Sequence, residues 1–411
     1  MKPCFQSGTF YLPNASIDPA RWAVIACDQY TSQPEYWTEV QKQVQDKPSC
    51  LHLIYPEAFL SQGDQRIQTI QQTMKRYLQD GILEEKVQNG FVLLKRSTLS
   101  GDRYGLVGVI DLEAYDYDPQ TDCPIRATEG TIESRIPPRV RIRQDALLEL
   151  SHVMVLIDDS QKQLIEVLAD QREKFPVLYD FDLMMNGGHV TGYAIQGKEA
   201  EEVESRLMTM QKDADGLFLA VGDGNHSLAT AKACWEKIKI QLNDQQRLDH
   251  PARFAMVELV NLHSPALIFE PIHRILFHTD LKDLYPGFEK YCQDQNISIK
   301  EGNEIYFHQG SIEKKIGLVK SDDRLPIDIL QNYLDQYLNT HPQASIDYIH
   351  GQEAMMTLLQ DPSNCGIFLD RIDKNSLFPA IMAGGVLPRK TFSMGEADEK
   401  RFYMEARKVR L

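Results

Sequence analysis

The run Leu217-Phe218-Leu219-Ala220-Val221 ends on Gly222-Asp223-Gly224-Asn225-His226-Ser227, and that junction constrains the fold more than any other stretch. An apolar run of this length reads as a buried strand. Behind the glycine-bracketed aspartate, Leu228, Ala231, Trp235, Ile238 and Leu242 recur every three or four residues, the spacing of one buried helix face. The sequence therefore predicts strand, tight turn, helix. Unpaired N–H groups and the positive end of the helix dipole gather at such a turn, and they suit phosphate or carboxylate. Gly222 and Gly224 allow close backbone approach or positive φ.

The turn lacks the lysine and spacer of a Walker A loop. It only half-matches the dinucleotide pattern, and no strand ending in an acidic residue follows at the right distance. Instead Asp223, Asn225, His226 and Ser227 stand together where an anion would sit. An aspartate beside a phosphate is repulsive unless a divalent cation intervenes or the carboxyl handles a proton. Asp223 is thus a candidate magnesium ligand or proton acceptor. A plainer reading stands beside this one: Asp223, Asn225 or Ser227 merely caps the helix, contributing about 1 kcal/mol.

The 411 residues are enough for two to three domains. Lys plus Arg number 44 against 59 Asp plus Glu, giving a net charge of −15 that disfavours nucleic acid and membrane surfaces as partners. No run approaches the length of a membrane span and no signal region is visible, so a cytoplasmic location is expected. The seven cysteines form no CxxC pair or zinc spacing. Cys27, beside Asp28, is either a nucleophile or a buried strand residue. Against the acidic background, Arg126, Arg135, Arg139, Arg141 and Arg143 crowd one segment. They form either an anion clamp or a solvated helix face.

Strand-like and helix-like stretches alternate along the whole chain, and the expected fold class is α+β, mixed sheets with flanking helices. Residues 1–245 form an N-terminal region carrying the turn, 250–375 a second α+β domain, and 376–411 a tail with a charged final helix that packs back on the site. Three hairpins are expected, Gly90–Arg96 with Tyr104–Asp111, Val177–Leu183 with His189–Gln196, and Ile305–His308 with Lys315–Val319. For Arg139–Arg143, strand and helix both remain open, although Pro137-Pro138 suits a first helical turn.

Four segments in one order resemble the bacterial and archaeal family called domain of unknown function 1015. Its Asp-Gly-His-His-Arg type turn matches Asp223-Gly224-Asn225-His226-Ser227. Arg126-Ala127-Thr128-Glu129-Gly130-Thr131, Pro271-Ile272-His273-Arg274 and Leu387-Pro388-Arg389-Lys390-Thr391-Phe392 resemble three further elements. Asn225 and Ser227 replace a histidine and an arginine, which leaves the 126–143 arginines to supply the missing cation. The turn also resembles that of the ParB and sulfiredoxin superfamily, which includes a kinase acting on free serine. That likeness implies a related core.

Together these readings give a nucleotide-dependent small-molecule phosphotransferase. Asp223, His226 and Glu129 are its candidate catalytic residues. Gly222, Gly224, Asn225, Ser227, Arg126, Thr131, Arg135, Arg139, His273, Arg274 and Lys390 are candidates for anion binding, with ATP or ADP and magnesium as cofactors. The competing reading is a non-catalytic sensor of a nucleotide or anionic metabolite. A DNA-binding or nuclease function of the ParB kind is disfavoured by the charge.

Overall fold

Runs of Val, Ile, Leu and Phe broken by Gly and Asp turns become the strands of a large mixed sheet. The computed structural model describes residues 2–31 and 33–410. The main strands are β1 (Leu83–Thr98), β2 (Gly101–Asp111), β3 (Tyr115–Asp116), β4 (Ile125–Ala127), β5 (Met154–Ile157), β6 (Val177–Asp182), β7 (His189–Ile195), β8 (Leu219–Asp223) and β9 (Phe254–Asn261). Their order is β6-β7-β1-β2-β9-β5-β8-β4-β3. The two hairpins expected in this sheet form, β1 with β2 and β6 with β7, each antiparallel. β8 pairs antiparallel with β5 and parallel with β4.

Alternation along the strands feeds two cores. Val92, Leu94, Val107 and Val109 join one, with Trp37 and Val40 of α1 (Pro34–Val44) and Ile70, Met74 and Tyr77 of α2 (Gly63–Gln79). Phe91, Leu93, Leu106 and Ile110 join the other. It also holds Ala200, Val203 and Leu207 of α4 (Lys198–Asp213) and Leu228, Ala231 and Trp235 of α5 (Asn225–Lys239). At about 1.5–3 kcal/mol per large buried side chain, these faces fix the helices against the sheet. The segment left open between strand and helix is α3 (Ile136–Arg143), with Pro137 in its first turn and Ile136 and Val140 buried.

Two compact units emerge. One contains residues 1–127, 131–267 and 395–411; the other contains 128–130 and 268–394. β9, expected within a 250–375 domain, instead fills the first unit's sheet between β2 and β5. The second unit is also α+β. Its strands β10 (Phe269–Phe277), β11 (Ser298–Gln309), β12 (Ile312–Val319), β13 (Ser345–His350) and β14 (Cys365–Leu369) run in the order β12-β11-β14-β10-β13. Helices α6 (Leu281–Asp294) and α7 (Pro326–Thr340) meet through Phe288 and Tyr333, and Phe288 also packs on Phe307 of β11.

The tail corrects an expectation: it ends in short strands, not a charged helix. Phe402–Tyr403 pairs with Val24–Ile25, and Arg407–Lys408 with Leu148–Glu149. Arg401 and Arg407 in it are buried rather than solvated. Arg401 binds Glu258 and Glu405 at 2.8 and 2.7 Å, and Arg407 binds Glu149 at 2.6 Å. Among the described residues no helix is long and apolar enough to cross a membrane.

Candidate functional site

At the end of β8 the register against β5 shifts between Val221 and Asp223. Gly222 is the extra residue, and a bulge of this kind re-aims the side chain after it. Gly224 follows with φ +79°, and a Cβ there would lie 3.0 Å from the Val153 Cα. Both conditions demand glycine. Gly224 is the N-cap of α5 and no side chain caps the helix; the Asp223 carboxylate accepts the Gly224 N–H at 2.9 Å, outside the helix. The plainer capping reading therefore fails, and the N–H groups of the first turn keep their binding capacity. Asn225 Oδ1 and Thr131 Oγ1 are buried beyond the reach of any hydrogen-bond partner.

Lys400, a residue the sequence reading passed over, lies 3.1 Å from Asp223. Burial opposes ionisation of Asp223, but the Lys400 ammonium and His152 outweigh it and hold the carboxyl below its usual range. A lysine from the tail thus cancels the negative charge that would repel an anion at the helix terminus. Nothing in the sequence spacing connects positions 223 and 400; only the fold brings them together.

His152 anchors a second group. Its Nδ1 is 2.8 Å from the Tyr403 hydroxyl, its Nε2 is 3.6 Å from Asp28, and its ring edge approaches the Cβ position of Gly224 to 3.4 Å. Because the Cys27 N–H donates to the Tyr403 oxygen at 3.2 Å, the hydroxyl proton is free to donate to Nδ1. Nε2–H then faces the Asp28 carboxylate. Burial and Asp28 push the Cys27 thiol up to about 12, which disfavours the thiolate a nucleophile needs.

His226 belongs to this neighbourhood in another role. The Ile132 N–H donates to its Nε2 at 3.1 Å, so that nitrogen carries no proton. Burial, with Arg139 and Arg135, lowers its pKa to about 4. A neutral, occupied imidazole positions the 131–132 segment and does not serve as a cation. The same shift places the guanidinium charges of Arg135 and Arg139 within electrostatic reach of the turn. Arg139 also pairs with Glu57. Arg141 and Arg143 pair with Asp64 and Glu149. Arg126 does not join them, since its Nε donates to Cys123 O at 2.9 Å and its Nη2 lies near Gly216, before β8 rather than after it.

Four of the candidate residues fall in the second unit. Glu129 lies in the 128–130 excursion, where its backbone bridges to Leu387. His273 is buried, accepts the Leu369 N–H at 3.2 Å, and is lowered to about 4 by burial, Arg274 and His350. Arg274 is fully buried and Lys390 exposed.

A family model spans residues 11–348, most of the chain. The chain belongs to the family described as Protein of unknown function (DUF1015). No curated protein matches this DUF1015 chain. Among solved structures it is similar to a free serine kinase in complex with AMP (TM-score 0.38, 8% identity, 73% of this chain and 91% of that one). It is also similar to SbnI with a C-terminal truncation from Staphylococcus aureus (0.37, 10%, 70% and 82%) and to a conserved hypothetical protein from Pyrococcus furiosus (0.35, 8%, 74% and 94%). Likenesses this distant say nothing of site or substrate.

Proposed function

We propose that this DUF1015 protein is a nucleotide-dependent phosphotransferase acting on a small molecule, with phosphate held at the α5 N-terminus. The observation that carries the reading is the uncapped first turn behind Gly224, beside an aspartate whose charge Lys400 balances. The N–H groups of Asn225, His226 and Ser227 supply donors to phosphate oxygens, as helix N-termini do. Lys400, Arg135 and Arg139 supply positive charge where negative charge would develop on the transferring oxygens. Asp28, partly exposed and backed by His152 and Tyr403, is the carboxylate best placed to accept a substrate hydroxyl proton.

ATP or ADP suits this donor set. Magnesium would be shared with the phosphate, Asp223 exchanging its contact with Lys400 for the ion; among the described residues no group of three His, Cys, Asp or Glu side chains is placed to hold a metal alone. Asp223 would give one ligand, with water and phosphate oxygens completing the shell.

A second reading has its own support. Asp223 is tied to Lys400 and His226 to Ile132, which suits a binding protein that needs no general base. Calorimetry and a turnover assay on Asp28→Asn and Asp223→Asn separate the two. Loss of turnover at an affinity within a few fold of wild type supports the transferase; nucleotide binding with no turnover in wild type supports the sensor.

A further inference from the structure

The second unit carries an arginine whose surroundings do not account for it. Arg274 on β10 is wholly buried. Its Nε donates to Gln331 Oε1 at 3.2 Å and its Nη1 donates to the Ile272 carbonyl, while the buried Nη2 has no hydrogen-bond partner. A buried guanidinium normally sits against a carboxylate, because an uncompensated charge is costly in the interior. Among the described residues no ion pair is in contact with it. Asp335 is reached only through Gln331, whose Nε2 donates to it at 2.9 Å, and Glu129 acts from a distance. Burial accordingly lowers the Arg274 pKa to about 10.

Over this guanidinium lies the half-buried ring of Tyr348, 5.2 Å away, and Arg389 stands 5.8 Å from the same ring. Arg389 is exposed, forms no ion pair among the described residues, and is followed by Lys390 in the left-handed region at φ +59°. Among the described residues, the Tyr348 hydroxyl is held only by a 3.5 Å contact from Gln331. A cation–π contact is weaker than a charge-assisted hydrogen bond, so an oxyanion reaching Nη2 would displace the ring.

We propose that Arg274 and Arg389 form an oxyanion site in the second unit, taking the carboxylate or phosphate group of a small molecule with Tyr348 as its movable cover. This proposal does not depend on the function proposed for the α5 turn. The planar fork of Arg274 suits two-oxygen recognition of either group.

The test is isothermal titration of the full chain with acetate and with inorganic phosphate, using wild type, Arg274→Gln, Arg389→Ala and, as a control in the first unit, Gly224→Val. At least one anion should bind wild type. That binding should weaken about tenfold or more in Arg274→Gln and by a smaller factor in Arg389→Ala, and persist in Gly224→Val. The preferred anion identifies the group recognised. Should Arg274→Gln fail to fold, the exposed Arg389→Ala decides alone. Absence of binding by wild type, unchanged affinity in the arginine variants, or losses confined to Gly224→Val would overturn the proposal.

Discussion

At the scale of residues, Gly224 and His226 make the sharpest claims. Any side chain at position 224 must adopt left-handed backbone, costing about 1–2 kcal/mol, and its Cβ would also press on Val153. Gly224→Ala should therefore lower the unfolding free energy measured in urea by about that amount and weaken anion binding at the turn; a variant as stable as wild type would show that the turn is not strained. His226 makes a pH claim. Its folded pKa of about 4 lies below the ordinary 6.5, so the unfolded chain binds the extra proton first and stability falls as pH drops from about 6.5 towards 4. Buried His273 works in the same direction. Urea unfolding at pH 7 and pH 5 should show this loss, and His226→Asn should reduce it. The turn glycines were legible in the sequence because their chemistry is local. Lys400, Asp28 and His152 were not, since their roles arise from contacts across more than a hundred residues of chain.

At the scale of elements, periodicity reads well where one face is buried and the other wet. Helix α5 and the hairpins follow from it. It fails for the tail, whose alternating charges look like a solvated helix but are spent on Glu258, Glu405 and Glu149 inside the first unit. Removing one partner of such a buried pair leaves the other uncompensated, at about 3–5 kcal/mol. Arg401→Ala should destabilise by that amount in urea unfolding. A change below about 1 kcal/mol, the worth of a surface pair, would mean that Arg401 is hydrated.

At the scale of the whole molecule, the chain leaves the first unit after Ala127, returns at Thr131, leaves again after Leu267 and comes back at Gly395. The sequence showed two α+β regions but not this weaving, because no composition shift or linker marks a crossing that is made through packing. A chain ending at Leu267 lacks the strands paired to Val24–Ile25 and Leu148–Glu149. It should be unfolded by circular dichroism, and a peptide of residues 395–411 added in trans should restore structure. Independent folding without that peptide would contradict the assignment of the tail. The central claim concerns the α5 turn, and calorimetric titration with ADP, with and without magnesium, tests it most directly. The account predicts binding by wild type that weakens about tenfold or more in folded Gly224→Val and in Lys400→Met. Equal affinity in both variants, or no binding by wild type, would contradict it.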